Sequence, residues 1–337
     1  MSRLADYTTL GVGGPARTLV HATTEAELIS AIDAADSAGE PLLIIGGGSN
    51  ILIGDDGFAG TVIRVETAGN SYEIDACSGG MLQVAAGVGW DEFVAFTIEK
   101  GLANLESLSG IPGTVGGAPI QNIGAYGHDV SEVIARVRTY DRVAKAVKTF
   151  TAAECGFSYR SSIFKESGDR FVILDVTFHL RRGEESLAIA YPELANELGV
   201  RIGDRAPVTK VREAVLKLRA KKGMLEGMGI ASAGSFFTNP VVSHTVAEAL
   251  PIDAPRWPQE DGSVKLSAAW LMENAGVAKG ERVGNAAISD HHVLALTNAG
   301  SATAAEIVEL ARSAQARVKS AFGITLEPEV QFVGVKL

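Results

Sequence analysis

The sequence predicts a mixed α and β protein of two or three domains. Three observations carry that prediction. The 337 residues exceed what one hydrophobic core normally organises, roughly 250 to 300 residues. Stretches with helix start and stop signals alternate with short apolar or alternating stretches of β character. Long glycine-rich connections interrupt both, the longest at residues 107–127. A hydrophobic content of 46% against 21% charged residues marks a folded chain.

Residues 8–16 hold a GxGxxA pattern at Gly11, Gly13 and Ala16. It is a poor dinucleotide fingerprint, because no strand of useful length precedes it and Pro15 sits inside it. A strand is expected at 17–21. Thr24 and Glu27 form a capping box for a helix that buries Leu28, Ile32 and Ala35 and stops at Gly39. Residues 42–45 read as a buried strand running into Gly46-Gly-Gly-Ser-Asn50, and 62–65 close this β-α-β unit. Glycines followed by Ser and Asn after a buried strand make an anion cradle of backbone N–H groups. No Lys-Ser/Thr follows, so the cradle is not a P-loop.

From 72 to 86 the pattern is β-like, with 84–88 as a buried strand. A helix begins at Asp91, carries Phe93, Val94 and Ile98, and closes at Gly101. Residues 107–127 then hold six glycines and two prolines without one Asp, Glu, Lys, Arg or His. Surface loops are normally polar; an apolar glycine-rich loop points to backbone lining something buried, the alternative being a tightly packed structural loop. Paired strands are expected at 133–139 and 146–150, and 170–180 is the longest alternating stretch. A charged segment, 181–203, carries Tyr191-Pro192. The helix 209–222 lines Val208, Val211, Val215 and Leu218 on one face; its basic end (Arg219, Lys221, Lys222) suits the helix dipole. Thr303 and Glu306 cap a last long helix with Ile307, Leu310, Ala314, Val318 and Phe322 inward, ended by Gly323.

Several function classes are disfavoured. Net charge is −10 and no Lys/Arg cluster is interleaved with aromatics, so nucleic-acid binding is not expected. The N-terminus lacks a signal-peptide core and no apolar run reaches spanning length, which predicts a soluble cytoplasmic protein. Cys77 and Cys155 are far apart, and the six histidines show no HExxH spacing; no disulfide and no metal site is expected. No GxSxG elbow occurs.

Three later segments are unusual. Residues 158–165 place Arg160 and Lys165 among hydroxyl and apolar neighbours; 233–240 set Ser235 between a glycine and two phenylalanines; 326–332 set Glu329 on an otherwise alternating strand. Singly, each has a plainer reading: a surface ion pair, a turn hydroxyl and a solvent-facing strand residue. Together with Gly13-Gly-Pro-Ala16, Gly46-Gly-Gly-Ser-Asn50, Gly110-Ile-Pro-Gly-Thr-Val-Gly-Gly117, Gln121-Asn-Ile-Gly-Ala-Tyr-Gly127, Tyr159-Arg160, Gly234-Ser-Phe-Phe237, Lys265-Leu266 and Leu326-Glu-Pro-Glu-Val330, they resemble the UDP-N-acetylenolpyruvoylglucosamine reductase family. The resemblance covers essentially the whole chain.

That resemblance implies an α+β protein: an FAD-binding fold of the vanillyl-alcohol-oxidase (PCMH) type in two subdomains, plus a C-terminal α/β substrate domain. The implied division is 1–68 and 69–222 for FAD and 223–324 for substrate, with the strand 325–337 returning near the first. Arg160, Ser235 and Glu329 match the catalytic residues. FAD would be held by Gly46, Gly47, Gly48, Ser49, Asn50, Ile111, Pro112, Gly113, Thr114, Gly117, Ala118, Gln121, Asn122, Gly124, Ala125 and Tyr126. Tyr159, Tyr191, Lys222, Asn239, Lys265 and His292 would contact substrate; Tyr191 is the substrate-loop tyrosine that marks the longer form. The stretch 223–231 departs from some relatives beside Lys222, and some carry Gln where this chain has His292.

By the same resemblance, NADPH reduces FAD and leaves before the enolpyruvyl nucleotide sugar enters, and a monomer is expected. Hydride from flavin N5 adds to the terminal carbon of the enol ether. Arg160 spreads the charge that develops beside the carboxylate, Glu329 stabilises the enol-like intermediate, and Ser235 supplies the proton. Two other classes remain open on the residues alone: a flavin oxidase of a sugar or hydroxy acid, and a nucleotide-sugar binding module without redox function.

Overall fold

The computed structural model describes residues 2–75, 79–225 and 227–337. They form two compact units: Ala16–Gly48 with Ala59–Glu226, and Ser2–Pro15 with Ser49–Phe58 and Gly227–Leu337. Cys77 lies outside the described residues.

In the first unit the expected capping box is in place. Thr24 Oγ1 accepts the Glu27 N–H at 3.2 Å and Glu27 accepts the Thr24 N–H at 3.2 Å, starting the helix Glu25–Ser37. Leu28, Ile32 and Ala35 are its buried stripe, as the spacing predicts. Strand Leu42–Ile45 follows and pairs in parallel with Phe58–Val65, which borders Ala16–Ala22.

A second sheet is antiparallel, in the order Ala146–Thr151, Ile134–Asp141, Phe171–Arg182, Gly79–Ala85, Asn70–Asp75. Its middle strand corrects the expected alternation at 170–180. All of 171–178 is buried, because both faces are covered. On one face Phe178 meets Phe93 of the helix Trp90–Glu99 (ring centroids 4.8 Å apart); on the other, Phe171 meets Phe150 at 5.0 Å. Asp175, buried within this strand, accepts from Gln83 Nε2 at 2.9 Å and pairs with Arg138, which also holds Glu25. Arg142–Asp36 and the Tyr140 hydroxyl on Asp33 (2.6 Å) tie the same helix to the sheet. Cys155 donates its thiol to the Thr151 carbonyl, and burial pushes its pKa to about 12.

The second unit holds a four-stranded antiparallel sheet, Ala231–Ser235, Ala295–Asn298, Ala286–Ile288 and Arg282–Val283. Helix Ala304–Phe322 packs on it, started by the predicted Thr303/Glu306 box and ended at Gly323. A smaller sheet joins Val241–Val242, Val264–Leu266 and Arg256–Pro258. Strand Ile51–Ile53 pairs in parallel with Gln331–Val333. The glycines near residue 13 serve this packing: Gly14 lies against the Asp55 main chain, too close for a Cβ, and its N–H donates to Gly54 O at 2.9 Å. Among the described residues no helix is long and apolar enough to cross a membrane.

Candidate active site

The two glycine stretches singled out in the sequence meet inside the first unit. A Cβ on Gly46 would stand 2.5 Å from Thr114 Oγ1, and one on Gly47 would stand 2.8 Å from Gly113 Cα. Only glycines let these loops approach to backbone contact. The second loop is pinned from behind: Gly113 O accepts the Trp90 N–H at 3.0 Å, and the Gly116 N–H donates to Ala86 O at 2.8 Å. Gly117 differs from its neighbours. Its φ is not left-handed, it is exposed, and no atom lies within 4 Å of the position a Cβ would take. Neither backbone strain nor packing requires glycine there. Ile111, Pro112, Thr114 and Gln121 line the same loop, and Ala118 is buried beneath it.

Beyond it the chain folds into a hairpin, Gly124–Ala125 against His128–Asp129. Tyr126 and Gly127 form its turn with φ 53° and 90°, the left-handed pair of a type I′ turn. Asn122, also left-handed at φ 45°, is buried; its amide donates to Ser158 O at 3.1 Å and accepts the Ser131 N–H at 3.1 Å. Those bonds seat the neighbouring turn, where Ser158 and Ser161 exchange main-chain hydrogen bonds and Tyr159-Arg160 form the tip. Arg160 has φ 55°, and its guanidinium donates to Gly124 O at 2.7 Å and Asn122 O at 3.3 Å. Of the five left-handed non-glycine residues among those described, three are Asn122, Tyr126 and Arg160. Such strain collects where a fold must fix a functional group.

The hairpin tip also meets Tyr191, which precedes the helix Pro192–Leu198. The Tyr191 ring stands edge-on to Tyr126, centroids 5.8 Å apart. Lys222, capping the helix Val208–Lys221, pairs with Glu193 and stands 5.8 Å over the Tyr126 ring. Burial pushes the Tyr126 phenol to about 12 and raises that of Tyr191. Arg219 is not merely a dipole partner of its helix: it turns inward, donating to Gly110 O at 2.9 Å and Met224 O at 3.1 Å. Burial lowers its pKa, and no carboxylate pairs with it among the described residues. From the other side Asp91 accepts the Gly110 N–H at 2.6 Å and both terminal nitrogens of Arg212. Burial pushes the Asp91 carboxyl up, but the Arg212 pair and that N–H outweigh it and leave it low. The start of the glycine loop is therefore clamped at both its N–H and its carbonyl. The sequence showed Arg219, Asp91 and Glu193 only as ordinary helix residues.

In the second unit Ser235 ends the strand Ala231–Ser235, opposite Ala295 after a register shift. Phe236 and Phe237, fully buried, anchor the chain just beyond that strand. Glu329 is not on a strand, contrary to the sequence pattern. Pro328 has no N–H to offer a ladder and makes only an isolated bridge to Phe237, so the strand begins at Gln331. The Glu329 N–H donates to Phe236 O at 2.8 Å, which makes Ser235 and Glu329 neighbours. Asn50 follows Ser49 and donates its amide to Glu329 O at 3.0 Å. Asn239 accepts the Ala268 N–H at 2.9 Å, Lys265 lies mid-strand opposite Val241 and Trp257, and His292 Nδ1 accepts the Leu294 N–H at 3.0 Å.

The glycine loops meet in backbone contact beside an antiparallel sheet, and the family model for the FAD binding domain, which matches residues 16–149, puts the chain among FAD-binding proteins. A second model, for the UDP-N-acetylenolpyruvoylglucosamine reductase C-terminal domain, matches 226–333. Reductases of that name are similar along the whole chain. The one from Cutibacterium acnes is 52% identical over 98% of this chain and 89% of its own. That from Thermobifida fusca is 49% identical over 99% and 97%. The crystal structure of the Thermus caldophilus reductase superposes with a TM-score of 0.69 at 28% identity, covering 98% of this chain and 97% of that one. The chain belongs to the UDP-N-acetylenolpyruvoylglucosamine reductase family, an FAD-dependent oxidoreductase of peptidoglycan precursor synthesis. The expected α+β FAD-binding fold is the one observed.

Proposed function

We propose that this protein reduces the enolpyruvyl group of UDP-N-acetylenolpyruvoylglucosamine to give UDP-N-acetylmuramate, with NADPH as the electron source. The observation that supports the reading is the hydrogen bond from Glu329 N–H to Phe236 O at 2.8 Å, which brings the main chain at Glu329 against the residue that follows Ser235. FAD, when bound, would supply the redox chemistry, hydride transfer from NADPH to the terminal carbon of the enol ether. Residues 46–50, 111–114, 117–118, 121–122 and 124–126 are its proposed grip, backbone N–H groups serving the negatively charged pyrophosphate.

As hydride adds, negative charge appears on the carbon beside the substrate carboxylate. Arg160 pairs with that carboxylate and spreads the charge; Glu329 stabilises the enol-like intermediate. Ser235 Oγ–H then protonates the carbon. A hydroxyl is a weak acid, but a carbanion-like centre is basic enough to take its proton. Tyr159, Tyr191, Lys222, Asn239, Lys265 and His292 are proposed substrate contacts, with Lys222 a cation suited to a diphosphate. The proposed working division is 1–68 and 69–222 for FAD and 223–324 for the nucleotide sugar. Gln331–Val333 does pair with Ile51–Ile53, inside 1–68, while both strands belong to the compact unit that holds 227–337.

A spectrum tests the reading. The purified protein should carry a visible flavin absorption that NADPH bleaches without oxygen and that the enolpyruvyl nucleotide sugar restores. Failure to take up FAD would indicate a binding module, and turnover of a sugar with oxygen alone would indicate an oxidase.

A further inference from the structure

His128 opens the second strand of the Tyr126 hairpin, and both of its ring nitrogens face acceptors. Nδ1 lies 3.0 and 3.2 Å from the two Glu132 carboxylate oxygens, and Nε2 lies 3.0 Å from the Ala188 carbonyl. A neutral imidazole carries one N–H, so either tautomer would leave a ring lone pair against an oxygen. Only the imidazolium satisfies both contacts. The His128 side chain is 14% exposed, against 38% for Glu132.

Ala188 belongs to the arm that ends at Tyr191, and the arm is fastened to the hairpin at several points. On the hairpin, a Cβ on Gly127 would stand 2.7 Å from Ala190 Cβ and Tyr191 meets Tyr126; beside it, Leu187 N–H donates to Glu106 Oε1 of the turn Glu106–Leu108 at 3.2 Å. The hairpin's other strand receives the Arg160 guanidinium at Gly124 O. One two-strand element thus connects the arginine turn with the tyrosine arm.

We propose that protonated His128 is a positioning residue that clasps the Tyr191 arm to the hairpin, making substrate capture dependent on pH. The proposal rests on the reading of Tyr191 as a substrate contact. The charged groups facing His128 are Glu132, from the turn after its strand, and Glu106, from the turn Glu106–Leu108. Both favour the proton. The Glu132 hydrogen bond is the larger effect, and it outweighs burial to hold the imidazole above its ordinary 6.5. The clasp is therefore complete below pH 6.5 and is lost as pH rises through the raised value.

Two measurements on the FAD-loaded protein test this. An NMR titration should place the His128 ionisation above 6.5. The KM for the nucleotide sugar should rise roughly tenfold as pH passes through that ionisation, the effect of losing one charge-assisted hydrogen bond. His128→Gln should give a high KM without that limb, and Glu132→Gln should move the limb to lower pH. An imidazole titrating at or below 6.5, or a limb unmoved in Glu132→Gln, overturns the proposal. The same holds for a wild-type limb surviving in His128→Gln. If His128→Gln cannot hold FAD, the Glu132→Gln profile decides. If the wild type does not turn over the nucleotide sugar, the proposed function fails, while the titration still decides the clasp.

Discussion

Arg160 in the first unit and Ser235 with Glu329 in the second are fixed by different means. Arg160 sits in a left-handed turn, and its charged end is bonded to carbonyls of the glycine-loop hairpin. Ser235 and Glu329 are placed by main-chain hydrogen bonds and the buried phenylalanines between them. Truncating a side chain in the second unit therefore leaves its frame standing, whereas truncating Arg160 removes donors from the carbonyls of Asn122 and Gly124 in the proposed cofactor grip.

The widest separation should come from Ser235→Ala. Stopped-flow measurement should show flavin reoxidation by the nucleotide sugar slowed about 10² to 10⁴-fold, the range for a lost general acid. Bleaching by NADPH should continue; equal loss of both steps would break the contrast. Arg160→Ala should cost about 10²-fold in the same step, and it should also weaken FAD retention severalfold because two carbonyls lose their donor. Wild-type FAD affinity in that variant would show that the hairpin holds without the arginine. Gly47→Ala acts on the loops alone. Its Cβ meets the Gly113 Cα, and the overpacking should destabilise the protein by about 1 to 3 kcal/mol. A normal Tm with full FAD content would mean the two loops separate freely. The smallest effect is expected at Glu193→Gln. Its pair with Lys222 is partly exposed, side chains 39% and 26% accessible, and such pairs contribute at most about 1 kcal/mol. Releasing Lys222 should lower the nucleotide-sugar KM about two- to fivefold. An unchanged KM would remove Lys222 from substrate binding.

Local signals were the ones the sequence expressed best. The capping boxes at Thr24/Glu27 and Thr303/Glu306 need only four consecutive residues, and both formed as expected. The glycine loops were legible from composition, but their mutual contact through Gly47 and Gly113 depends on the fold. Strand 171–182 carries polar residues that suggested one wet face; Arg138 and Gln83 satisfy Asp175 inside the sheet instead. His128 could not be singled out, since its carbonyl partner comes from sixty positions along the chain. Its hairpin turns at Tyr-Gly rather than the familiar Asn-Gly, so even the local cue was muted.

The strand pairing of Ile51–Ile53 with Gln331–Val333 has a consequence for biosynthesis. The segment 49–58 leaves the ribosome early, yet the compact unit it belongs to is otherwise built largely from 227–337. Until those late residues emerge, an apolar strand edge waits unpaired, the kind of edge that recruits other chains. The first unit, 16–48 with 59–226, can begin to collapse before most of the second has been synthesised.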